Sequence, residues 1–170
     1  MIQPHTAYDY LTQSRQRVHD AVRPLSVEQY AREFPIGMKT LGATLTHMMI
    51  SEWYYVERIL HREVPPYDQW PVRSENPLPF AALEDGWNKQ AKRTRTAMGE
   101  VRDWDGPLEY RVTNDEGVPL VVTASVAGLF TQLVLHEVHH RAQVLNMLRH
   151  CNVTLDDLDF NALMFQRRKA

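Results

Sequence analysis

The stretch SVAGLFTQLVLHEVHHRAQVLNMLRH, from Ser125 to His150, decides how this chain folds. Leu129, Leu133, His136, His140, Val144 and Met147 recur at spacings of three and four, the period of one helix face. The helix is expected to run from about Ser125 to His150. The segment therefore reads as one long core-facing helix whose apolar seam is interrupted by two histidines.

Outward from it, the same period returns three times. Ala7, Leu11, Ser14, Val18 and Val22 predict a helix from Thr6 to about Arg23, with Thr6 and Asp9 as a capping pair and Pro24 as the stop. Ser26 and Gln29 signal a second, short helix ending near Pro35, with a turn at Gly37. A long helix follows from near Thr40 to near Arg62, with Leu41, Leu45, Met48, Glu52, Tyr55 and Ile59 along its seam. Another runs from about Phe80 to Arg102 on Phe80, Leu83, Trp87, Ala91, Thr94, Met98 and Val101. Between these two, Pro65 to Pro79 holds Pro65, Pro66, Pro71, Pro77 and Pro79, which forbid regular helix and leave a crossover long enough to span a bundle. The period changes to two between Leu108 and Thr123, where Tyr110 and Val112, then Val118, Leu120 and Val122, flank Asn114, Asp115, Glu116 and Gly117; this is a small β-hairpin. Leu155 to Phe165 alternates acids with apolar residues and is expected to pack back on the helices. The fold class is all-α: a four-helix bundle with a long crossover before the third long helix and a small β-hairpin before the fourth.

Composition narrows the function. At 170 residues the chain is expected to form one domain, residues 1–170. A net charge of -2 argues against a nucleic-acid surface, which would be basic. Met1 to Tyr10 lack a basic and then apolar leader pattern, and no run of about 18 apolar residues offers a membrane span. A soluble, cytoplasmic protein is expected. Cys151 is the only cysteine, which rules out an intrachain disulfide.

Eight histidines carry the chemistry. Residues four apart on a helix differ by about 40° in direction and about 6 Å in height, so His136 and His140 can converge on one ion. They sit on an apolar seam, where an unpaired ring would cost about 1 to 3 kcal/mol. A hydrogen-bonded core pair would satisfy them equally, and a third ligand is needed to decide. His5, His19, His47, His61, His139, His150 and the carboxylates are candidates. Of these, His47 stands two turns into a predicted core helix, on the flank of its stripe, between Thr46 and Met48. The run His136-Glu137-Val138-His139-His140 also satisfies the HExxH pattern of zinc peptidases, in which the glutamate is a general base. The extended form of that pattern fails, because Gln143 occupies the glycine position; Asp156, Asp157 or Asp159 would have to supply a ligand.

Leu45-Thr46-His47 with Glu52-Trp53, and the run from His136 to Gln143, resemble the metal-site motifs of the DinB-like, damage-inducible superfamily, which includes thiol-dependent isomerases and transferases. The likeness extends over nearly the whole chain, down to the tail of the Leu158-Asp159-Phe160 kind. The resemblance implies that His47, His136 and His140 are the three ligands, that the metal is nickel or zinc, and that the protein is a homodimer. Ala142 replaces a glycine common there, at what is expected to be a helix packing position.

Three neutral imidazoles leave at least one position on a divalent ion open, the pattern of a reactive site. The expectation is a metal-dependent enzyme acting on a small molecule, either a hydrolase or a transferase using a low-molecular-weight thiol. The alternatives are a non-catalytic metal- or ligand-binding bundle and, third, an HExxH peptidase. Glu52 is read as a ligand-orienting group, a base or a buried hydrogen-bond acceptor, and Glu137 with Arg141 as a surface ion pair. His139 is read as solvent-facing or as a partner of a ligand, and Gln143 as a hydrogen-bond partner of a ligand ring or an ordinary helix contact. Trp53, Tyr54, Tyr55 and Trp87 read as core or dimer contacts, and Cys151 as inert.

Overall fold

The computed structural model describes residues 3–114 and 116–168. Helix α1 spans Pro4–Val22. It starts two residues before the expected Thr6, because Pro4 sits in the first turn with its φ already helical; Gln3 is the N-cap and makes no side-chain cap bond. The predicted Thr6–Asp9 capping pair therefore lies inside the helix. Helix α2, Val27–Ala31, begins with the expected reciprocal bonds between Ser26 and Gln29, and stops short of Pro35. Helix α3 is Leu41–Ile59, capped by Thr40, which accepts from the Ala43 N–H. Its seam residues Leu41, Leu45, Met48, Glu52 and Ile59 are buried.

The proline-rich crossover contains one 3-10 turn, Tyr67–Gln69, and delivers the chain to α4, Phe80–Glu100. Strands β1, Pro107–Thr113, and β2, Pro119–Ser125, pair antiparallel with Tyr110 opposite Val122 and Val112 opposite Leu120. Their turn is closed by Asn114, whose Oδ1 accepts from the Val118 N–H at 2.8 Å, and by Gly117 at φ +79°; Asp115 lies outside the described residues. Helix α5 is Val126–His150, with Ser125 accepting from the Gly128 N–H as its cap. In the tail, α6 is Phe160–Met164, and Leu158 is buried against the core.

The chain is mostly helical, with this one small hairpin. Helix α3 packs on both α4 and α5, and α1 packs on the same two helices. Two apolar clusters result: one holds Leu45, Trp87, Val144 and Met147, the other Leu11, Val56, Phe130 and Leu133. Between them lies a belt of buried polar side chains, among them Ser14, Arg15, Glu52, Thr94, Glu137 and Arg141. No helix among the described residues is long and apolar enough to cross a membrane.

Candidate metal centre

Close packing of α3 on α5 turns the flank of α3 that carries His47 toward His136 and His140. Each of the three offers a ring nitrogen, and these nitrogens all lie within 4.8 Å of one another. His47 Nε2 and His136 Nε2 are 3.0 Å apart, and the ring of His140 is 4.6 Å from that of His47 and 4.4 Å from that of His136, centre to centre. Two nitrogens bound to one tetrahedral ion at about 2.0 to 2.1 Å stand roughly 3.4 Å apart, close to the His47–His136 separation and below the upper bound on the other two.

Electrostatics favours the neutral, ligating form of each ring. Burial pushes His47 down to about 4, with the nearby His140 adding to it and Glu75 opposing. Burial, then His140 and His47, pushes His136 down to about 3. His140 is lowered by burial as well, against the hydrogen bond it donates to Gln143.

The outer nitrogens of His140 and His47 have polar partners. Gln143 Oε1 accepts from His140 Nδ1–H at 2.8 Å, which leaves the Nε2 lone pair of His140 free. The same carboxamide donates its Nε2–H to His139 Nε2 at 3.0 Å, so Gln143 bridges the two histidines. Gly37, at φ +48°, packs directly on it: a Cβ there would stand 2.1 Å from Gln143 Oε1. Ser74 Oγ lies 3.4 Å from His47 Nδ1. These donors fit a borderline-soft transition metal: three neutral imidazoles, partly buried, with no carboxylate in the group.

The other candidates are placed elsewhere. His5, His61, His139 and His150 are exposed, as are Asp156, Asp157 and Asp159 in the tail. His19 is buried against Trp87 and Phe80 and is not part of the triad's group. Glu137 and Arg141 are not a surface pair. Both are buried: Glu137 bonds to Arg15, while Arg141 bonds to Ser14 and to Tyr10. The reason is that α1 covers that side of α5, so the pair faces α1 rather than solvent. Glu52 accepts from Tyr8 OH at 2.5 Å, Thr94 Oγ1 at 2.6 Å and Arg15 Nη2 at 2.5 Å, which makes it a core acceptor. Ala142 is exposed rather than packed against a helix. Trp87 is core; Trp53 and Tyr54 pack on Trp70 of the crossover, and Tyr55 approaches His136 edge-on at 5.7 Å.

The sequence profile of the DinB superfamily matches residues 10–144, a span that contains all three histidines. The chain belongs to the DinB superfamily. The crystal structure of a DinB-like protein from Bacillus cereus ATCC 10987 superposes with a TM-score of 0.60 at 18% identity, covering 86% of this chain and 91% of that one. At this identity the likeness is one of fold. No curated protein matches the chain.

Sequence reasoning about this DinB-superfamily chain missed Arg15, Ser74 and Gly37. Arg15 carried a signal, since it falls between Leu11 and Val18 on the buried stripe of α1. Ser74 lies in irregular chain, where no period reveals facing. A cleft of about 760 Å³ runs between α2, the turn at Gly37 and the crossover from Ser74 to Phe80. It includes Ser74 and Gly37, so it abuts the backs of the triad, but none of the three rings lines it.

Proposed function

We propose that His47, His136 and His140 bind one divalent transition metal, zinc or nickel, in an enzyme that acts on a small molecule. The observation that carries this reading is the convergence of three desolvated ring nitrogens from two helices. A divalent ion bound there supplies Lewis acidity, toward a water for hydrolysis or toward the thiolate of a low-molecular-weight thiol for transfer. Three protein ligands leave at least one coordination position to solvent or substrate. Gln143 and Ser74 orient the rings, and Gly37 gives the Gln143 carboxamide room. The chain's resemblance to a superfamily that includes thiol-dependent transferases favours transfer over hydrolysis.

The same reading takes residues 1–170 as one four-helix-bundle domain and the protein as a cytoplasmic homodimer without nucleic-acid or membrane partners. Leu135 and Val138, exposed on α5, support pairing.

Purified protein is expected to carry about one equivalent of metal per chain, and His140→Ala to lose most of it. Full retention by that variant discards the assignment. A non-catalytic binding protein is the second reading, favoured by one observation: Gln143 and Ser74, the groups at the triad's outer nitrogens, are not bases at neutral pH. An exchangeable water on the loaded metal, seen by relaxation of a cobalt or nickel form, supports the enzyme; a closed coordination sphere supports the binding protein.

A further inference from the structure

Three buried charged side chains are joined at one atom. Arg15 Nη2 bonds to Glu52 of α3 at 2.5 Å and to Glu137 of α5. Arg15 is 6% exposed, and its guanidinium is covered by the Trp87 ring of α4 at 4.5 Å. Glu52 is completed by Tyr8 of α1 and Thr94 of α4. All four long helices thus meet at a single guanidinium. The two acids are close in sequence to the ligands: Glu137 follows His136 directly, and Glu52 comes five residues after His47 on the same helix.

The network is poorly suited to maximal stability. Arg15 Nε and Nη1 and Glu137 Oε1 are buried with no hydrogen-bond partner among the described residues. Buried ion pairs rarely outperform apolar residues of the same volume, and an unsatisfied one does worse. What such a network does supply is registry, because each wrong offset between helices strands a buried charge. The helices tied by the Nη2 bridge, α3 and α5, are the two that must hold His47 against His136 and His140.

We infer that Arg15 is a positioning residue for the three-histidine site: its one-nitrogen bridge between Glu52 and Glu137 fixes α3 against α5 so that the imidazoles meet. The inference rests on the metal-binding reading for its affinity test, but the ring geometry can be read without metal.

The test is a charge-free variant carrying Arg15→Met, Glu52→Gln and Glu137→Met, alongside Arg15→Lys, whose single nitrogen can bridge the same two carboxylates. The charge-free variant is expected to fold with a metal-free melting temperature at or above that of the parent. Its affinity for cobalt is expected to fall roughly tenfold or more, since imidazoles held out of register meet the ion with poorer geometry. The visible cobalt spectrum should weaken as the tetrahedral geometry relaxes. In the metal-free protein, the NOE contacts between the rings of His47 and His136 should disappear. Arg15→Lys should recover most of the affinity and the contacts.

A charge-free variant that keeps the parental affinity, spectrum and ring contacts overturns the inference, as does one that cannot fold, since the network would then be needed for stability. Equal loss in both variants overturns the bridging role of the nitrogen. Should the parent bind no metal, the metal reading fails on that result alone, and the ring contacts still decide the role of Arg15.

Discussion

Replacing Gly37 with alanine tests the outer support of the triad, and its effects separate into two parts. The first is backbone: at φ +48° an L-residue pays a conformational penalty of about 1 to 2 kcal/mol, read as lost stability in the metal-free protein. The second is steric. The new Cβ would stand 2.1 Å from Gln143 Oε1 and 2.7 Å from Gln143 Cδ, so the carboxamide must swing away. Gln143 is flexible, and the movement itself is cheap, but it removes the 2.8 Å acceptor that orients His140 Nδ1–H. Loss of such a partner weakens metal binding by about 10- to 100-fold, or about 1.4 to 2.7 kcal/mol. Gln143→Ala should lower affinity by the same amount without the backbone penalty. The double variant then discriminates: affinity should fall no further than in either single variant, because both substitutions remove the same contact to His140. Dissociation constants come from competition with a chelator, and stabilities from urea denaturation of the metal-free forms. Parental affinity in Gly37→Ala, or additive losses of affinity in the double variant, refutes the argument that Gly37 acts through Gln143.

Two more outcomes follow from the buried polar residues. His19, pushed down to about 4 chiefly by burial, with Arg15 adding, stays neutral in the folded protein where the unfolded chain takes up a proton near 6.5. Its contribution is complete above pH 6.5 and lost as the pH falls to about 4, by about 3 kcal/mol; His19→Phe should flatten that part of the stability curve, and identical urea midpoints against pH for both proteins would sink the claim. Glu137→Gln, which keeps an acceptor for Arg15 but removes a charge, should lower stability by about 1 to 3 kcal/mol and leave metal content at the parental level. Loss of a reaction with unchanged stability would instead restore Glu137 as a catalytic base.

The long helices were legible because each repeats its apolar residues over many turns, and the short α2 was legible from the reciprocal cap of Ser26 and Gln29. The start of α1 was misread because two signals compete there. Thr6 and Asp9 make a plausible cap, yet Pro4 can occupy the first turn at no hydrogen-bond cost and extends the helix past them. The pair His136 and His140 was readable from spacing alone. Membership of His47 was not, since the residue lies off the centre of its stripe, and only the rotation of α3 against α5 brings it inward. Sequence patterns report the face of a helix, not which neighbour will cover it.

Glu137 shows the same limit most sharply. On α5 His136 and His140 point within about 40° of each other, while Glu137 is turned about 100° from His136 and about 60° from His140. That offset puts one side of the helix against the flank of α3 and the next against α1. An HExxH string on an exposed helix could lend its glutamate to a metal-bound substrate, because solvent would leave the carboxylate free to swing. Here Arg15 holds it, and burial pushes its carboxyl upward, with the guanidinium opposing. The decisive feature is therefore a residue more than a hundred positions earlier in the chain, with no place in the motif. A peptidase reading would need Glu137 to abandon a buried cation, which costs more than a surface ion pair would. The same cation also ties Glu137 to Glu52, so the residue that withdraws the glutamate from chemistry is the one that holds α3 and α5 in step.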